Sequence, residues 1–152
     1  SYLLGGALAG LHVRIGTPAA YQPKPEILAR AQQLAAEQGG SITLTDDPIA
    51  AVTGADVVAT DTWVSMGQEE ELSTRKGSGS PFTKYAVTTE LMAHAHADAI
   101  FLHCLPAYRG FEVDADVIDG PQSVVWAESE NRLHAQMAVL SWLVEQHRDL
   151  GR

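Results

Sequence analysis

The 152 residues suffice for one domain with a normal core, and 45% hydrophobic with 19% charged residues is a globular composition, not a disordered one. A formal net charge of -9 argues against nucleic acid or an anionic membrane surface as partner. No run approaches the roughly 18 apolar residues of a membrane span, no charged segment leads into an apolar stretch as in a secretory signal, and the lone Cys104 can form no internal disulfide, which suits a cytoplasmic chain.

Ser1-Tyr2-Leu3-Leu4-Gly5-Gly6-Ala7-Leu8 has no polar lead-in. It reads as the interior of an apolar helix, so the chain is expected to begin within an element, as a fragment or a cut-out domain would. Leu11 to Gly16 is a short strand candidate. Pro25 opens a helix where its missing N–H costs nothing; Ile27, Leu28, Ala31, Leu34 and Ala35 give it one apolar face, and Gly39-Gly40 stops it. Ser41 to Thr45 is the next strand. Asp47-Pro48 is a helix cap followed by a first-turn proline, and that short helix runs to Gly54. Val57 to Thr60 is a buried strand ending at Asp61. A long segment from Thr62 to about Ala86 carries glycines, Pro81 and charges, the composition of a functional or disordered loop. A helix is expected from Thr88 or Thr89 to about His96. Ala99 to His103 reads as a strand ending at Cys104, Ser123 to Trp126 as the last strand, and Ser129 to Arg148 as a closing helix.

Strands alternating with helices imply crossover units. The expected fold is α/β, a Rossmann-like, mostly parallel sheet of about five strands with helices on both faces. Ligands of such sheets bind beyond the carboxyl ends of the strands, which singles out Asp61, Cys104 and the residues after Trp126.

Three segments carry candidate chemistry. In Asp61-Thr62-Trp63-Val64-Ser65-Met66-Gly67, a carboxylate, a hydroxyl and exposed backbone groups can hold an ammonium and a carboxylate together, as an amino-acid head group requires. The competing reading is a solvated loop with a capping Asp. In His103-Cys104-Leu105-Pro106-Ala107, successive strand side chains face opposite sides, so a Cys–His catalytic pair is not expected. Cys104 is either a thiol near a reacting centre or a buried small hydrophobe. In Glu128-Ser129-Glu130-Asn131-Arg132-Leu133-His134, an arginine in the first turn of a helix meets the positive end of its dipole, where acids are normally preferred. Either an anionic or carbonyl ligand explains it, or Glu128 or Glu130 pairs with Arg132. The early glycines precede a strand and do not make a dinucleotide loop, and no histidine–cysteine spacing is zinc-like, so neither NAD nor a metal is expected.

Taken together, the three segments resemble the D-x-W-x-S-M-G loop, the H-C-L-P-A motif and the E-N-R-x-H-A-Q helix start of ornithine carbamoyltransferases, in the same order and spacing. The resemblance covers essentially residues 1–152, but only the C-terminal, ornithine-binding half of that family's chain. It implies transfer of the carbamoyl group of carbamoyl phosphate to the δ-amine of L-ornithine, giving citrulline and phosphate in arginine biosynthesis. Asp61, Ser65 and Met66 match ornithine-binding positions, and Cys104, Leu105 and Arg132 match positions that contact the carbamoyl group, with Cys104, Asp61 and Arg132 as the catalytic set. It implies no cofactor or metal, and a homotrimer of two-domain subunits whose N-terminal domain holds the phosphate.

That domain's S-T-R-T-R and H-P-T-Q motifs do not occur here, so these 152 residues alone are expected to be inactive. Tyr108 stands where the family often has histidine, and Ala127 where aspartate is common. The alternatives are a transcarbamylase for another amine or an acylated ornithine, or a non-catalytic binding or assembly module. Leu133, Met137, Leu140 and Val144 form one stripe on the last helix, with Val139, Trp142 and Leu143 beside it. That is wider than one domain face needs, and an exposed apolar face is expected.

Overall fold

A computed structural model describes residues 1–64, 70, 75 and 79–150. Its first half is a β-α-β unit with a helix before it. Helix α1 (Tyr2–Leu8) leads into β1 (His12–Gly16), α2 (Pro25–Gln38) and β2 (Ser41–Thr45). Gly6 lets α1 lie close to β1, since a Cβ there would meet a methyl of Val13. Gly39 ends α2 in the left-handed conformation at φ 78°, its N–H bonded to the Ala35 carbonyl, a backbone state that costs glycine little. Strands β1 and β2 pair in parallel from His12↔Ser41 to Gly16↔Thr45. Leu3, Ala7, Ala31, Ala35 and Ile42 form a first small core, in which the fully buried alanines let α1 and α2 approach closely.

The second half is built around a second parallel pair. Helix α3 (Pro48–Val52) starts where Asp47 accepts the Ile49 N–H at 2.9 Å, as the Asp-Pro signal anticipates. Strands β3 (Val57–Thr60) and β4 (Ile100–His103) pair from Val57↔Ile100 to Thr60↔His103. Between them in sequence, α4 (Thr89–Met92) is capped by Thr88 accepting from Leu91. Helix α5 (Ala115–Ile118), which the sequence reading does not assign, and the long α6 (Val125–Leu150) complete the chain. Phe101 and Val113, neither measurably exposed, centre the second core.

The α/β class stands, with parallel strands and crossover helices. Three details differ from expectation. The strands form two separate pairs, β1-β2 and β3-β4, instead of one sheet of about five. Side-chain contacts through the crossover helix α3 link the pairs: Arg14 of β1 donates to the Ala50 and Thr53 carbonyls at 3.3 and 2.7 Å. The expected strand Ser123 to Trp126 is reduced to a single bridge, Phe101↔Ser123. Its β-branched and aromatic residues favour a strand, but Val125 is wholly buried in the second core and α6 begins there, four residues before Ser129. Finally, the helix expected to reach His96 ends at Met92.

Candidate functional site at the ends of β3 and β4

Parallel pairing places Thr60 beside His103, so Asp61 and Cys104, the next residue of each strand, emerge side by side. The Cys104 thiol donates to Asp61 Oδ1 at 3.2 Å. The same oxygen accepts the Thr62 N–H at 2.7 Å. Oδ2 makes no hydrogen bond among the described residues, and Asp61 is an exposed residue. Burial is the main cause that pushes the Cys104 thiol up to about 11, followed by the hydrogen bond and charge of Asp61 and the charge of Glu128. The residue is nevertheless exposed, so its sulfur is reachable while remaining a thiol at neutral pH. That rules out the buried-hydrophobe reading of Cys104.

His103 points the other way, as strand alternation requires. It is 1% exposed and faces Glu112, which is 0% exposed, with Nε2 3.5 Å from Oε1. Its Nδ1 accepts the Leu105 N–H at 2.9 Å, which leaves Nε2 as the nitrogen that bears a hydrogen. Glu112 Oε1 accepts the Tyr108 N–H at 2.6 Å. Burial alone would raise the Glu112 carboxyl, but His103 and the Tyr108 N–H outweigh it and hold it below the usual range. Both ties fall within the turn that follows β4. There Leu105 has φ 56°, a left-handed state that costs an ordinary residue about 1–3 kcal/mol and persists where the surroundings over-determine it.

Asp61 also borders a cleft of about 350 Å³ between the two strand pairs. Gly16, Thr17 and Thr60 line it at the carboxyl ends of β1 and β3, with Trp63, Phe82 and Tyr85 as its aromatic wall. Trp63 is largely buried and lies 6.0 Å from Phe82 and 6.3 Å from Phe111, ring centre to ring centre. Arg75 donates to the Trp63 carbonyl at 2.9 Å.

Arg132 is exposed and makes no hydrogen bond or ion pair among the described residues. Because α6 starts at Val125, Arg132 lies about two turns inside the helix, not in its first turn. The acid in the first turn is Glu128, so the dipole argument attached to Arg132 does not apply. Neither Glu128 nor Glu130 pairs with it. Glu128 Oε2 instead accepts the His103 N–H at 2.9 Å, and Arg132 lies four residues further on, one turn along the same helix face. Ser65 and Met66 lie outside the described residues. The sequence reading missed Glu112 altogether, and it weighed Glu128 only as a partner for Arg132. Glu128 stands just before the helix start expected at Ser129, where an acid is favoured, and that was its one signal; nothing local marked Glu112.

Residues 1–143 match the aspartate/ornithine carbamoyltransferase family at its Asp/Orn binding domain. The chain belongs to this family. An ornithine carbamoyltransferase of Clavibacter sepedonicus is 63% identical over 146 residues, which are 96% of this chain and 47% of the relative. One of Bifidobacterium longum subsp. infantis is 61% identical over 148 residues, 97% of this chain and 45% of that one. Among solved structures, the ornithine carbamoyltransferase of Pyrococcus furiosus superposes with a TM-score of 0.86 at 49% identity, covering 93% of this chain and 44% of its own. An acetylornithine transcarbamylase bound to acetylcitrulline superposes at 0.79 with 29% identity, over 93% of this chain and 42% of that one. The chain thus spans about half the length of the curated relatives it matches. The family match runs over residues 1–143, a span that includes both strand ends.

Proposed function

We propose that this chain is the ornithine-binding domain of an ornithine carbamoyltransferase, the half that presents the δ-amine of L-ornithine to carbamoyl phosphate. The observation that carries the reading is the Asp61–Cys104 pair, a carboxylate and a protonated thiol joined at the rim of β3 and β4. A primary amine near pKa 10.4 is mostly ammonium at neutral pH and must lose a proton before it attacks. The free Oδ2 of Asp61 attracts that ammonium. With Cys104, Asp61 orients the nitrogen and receives or relays its proton. Ser65 and Met66 complete the ornithine set. Cys104, Leu105 and Arg132 grip the carbamoyl group, and the guanidinium steadies charge on its oxygen as the tetrahedral intermediate forms. The nitrogen bonds to the carbamoyl carbon, the carbon–oxygen bond to phosphate breaks, and citrulline and phosphate result.

The phosphate is held by an N-terminal domain of the same enzyme, and the enzyme acts as a homotrimer in the cytoplasm, in arginine biosynthesis. No helix among the described residues is long and apolar enough to cross a membrane. The exposed stripe of α6, with Leu133, Met137, Leu140 and Val144 each at least half exposed, suits burial against that other domain. The test compares turnover of ornithine, putrescine and N-acetylornithine by the full-length gene product. Ornithine is expected to be used fastest, and faster use of either alternative overturns the substrate assignment.

A further inference from the structure

We infer that Glu128 is a positioning residue, standing in for a missing strand so that Cys104 and Arg132 are set at one rim. This rests on the proposed reaction for its catalytic meaning, though its geometry stands apart from it.

In β4 the backbone groups alternate sides. The Ile100 N–H bonds to Asp56, beside β3, while the Phe101 N–H bonds to Gln122 on the far side at 2.8 Å. The Val124 N–H returns to the Phe101 carbonyl at 3.0 Å. This is the first step of a parallel ladder, and its next donor on that side is the His103 N–H, whose partner would be the Val124 carbonyl. That carbonyl instead accepts the Glu128 N–H at 2.9 Å as the first bond of α6, and the His103 N–H does not reach it. A buried backbone donor without a partner is costly. Glu128 resolves the conflict with its side chain: Oε2 takes the His103 N–H at 2.9 Å, where the strand carbonyl would have been.

One residue therefore makes two bonds that let the chain pass from strand to helix without a loop. Its N–H opens α6, and its carboxylate closes the ladder of β4. The consequence is positional. The residue after His103 is Cys104, and Arg132 lies one turn beyond Glu128 on the same helix face. Glu128 joins the two elements that carry them at a single point. Its negative charge also faces the thiol, which favours the protonated form that donates to Asp61.

The experiment compares Glu128→Gln, which keeps an oxygen acceptor, with Glu128→Ala, which removes it, in the full-length gene product. Hydrogen exchange of the His103 amide, with the Phe101 amide as internal reference, reads the tie directly. Glu128→Ala should speed exchange at His103 at least tenfold relative to Phe101, and Glu128→Gln should leave it within threefold of the parent. In citrulline formation, Glu128→Ala should lower kcat about 100-fold, the scale of a displacement of about 1 Å at a reacting centre, with a smaller change in KM for ornithine. Glu128→Gln should recover most of that loss. Three results would each overturn the inference: equal acceleration at both amides, an alanine variant within threefold of the parent kcat, or a glutamine variant as impaired as alanine. If the unsubstituted protein forms no citrulline, the proposed function fails, and the exchange measurement still decides whether Glu128 makes the tie.

Discussion

Replacing Asp61 by asparagine removes a negative charge 3.2 Å from the Cys104 sulfur while keeping a side-chain oxygen that can accept from the thiol. A thiol raised from 9.0 to about 11 is only about 0.1% thiolate at pH 8, against about 9% for one at 9.0. Full relief would therefore increase the thiolate about 100-fold. Intrinsic nucleophilicity falls as thiol basicity falls, by about threefold per pH unit, which leaves a net gain of about tenfold in reaction rate. Burial is the largest cause of the rise, and it survives the substitution, as does the charge of Glu128. The expected gain is accordingly about threefold, short of the roughly tenfold of full relief. The assay is the pseudo-first-order rate of iodoacetamide alkylation at pH 8. Cys104 is the only cysteine among the 152 residues, so the signal has one source, and parent and variant should react at equal rates in denaturant. An unchanged or slower rate in the folded Asp61→Asn protein would mean that the carboxylate does not govern this thiol, and the chemical core of the site would be lost.

Two further outcomes follow from other parts of the molecule. Glu112 binds its proton less readily when folded than at its ordinary value of 4.5. Its stabilising contribution is thus present above about 4.5 and is lost as pH falls through the lower folded value. Urea midpoints measured between pH 3 and 6 should fall on acidification, and Glu112→Gln should flatten that dependence; an equally steep variant would refute the assignment. On α6, the exposed Leu133 and Leu140 should make the isolated 152-residue chain self-associate and bind a hydrophobic dye. Glutamate at both positions should suppress each signal, and a parent that stays monomeric at high concentration would contradict the reading.

Local pattern carried the assignment of most elements for concrete reasons. Asp47-Pro48 caps α3, Gly39 stops α2, and the β-branched run Val57-Val58 makes a strand, because each depends on backbone conformations that neighbouring residues dictate. The candidate set Asp61 and Cys104 was also legible, since polar groups directly after buried strands mark the ligand-binding edge of a parallel sheet. Alternation along β4 correctly separated His103 from Cys104.

Pattern failed where one residue serves two elements. Val124 and Val125 have strand propensity, yet burial of Val125 in the second core and the double bonding of Glu128 turn the chain into α6 there. Propensity is worth tenths of a kcal/mol per residue and yields to such packing. The same shift moved Arg132 out of the first turn. Glu112 was invisible because its meaning lies in His103, which only the parallel bridge Val87↔Val113 and the turn after β4 bring near.

By itself, the order of residues determined most of the helices and strands and which groups stand at the ends of β3 and β4, because those depend on contacts a few positions long. Only the folded chain decided that Asp61 meets Cys104, that Glu112 lies buried against His103, and that Glu128 replaces a strand. Those are encounters across 9 to 43 positions of sequence. They arise when strand register and core packing bring distant backbone together, and no local propensity encodes them.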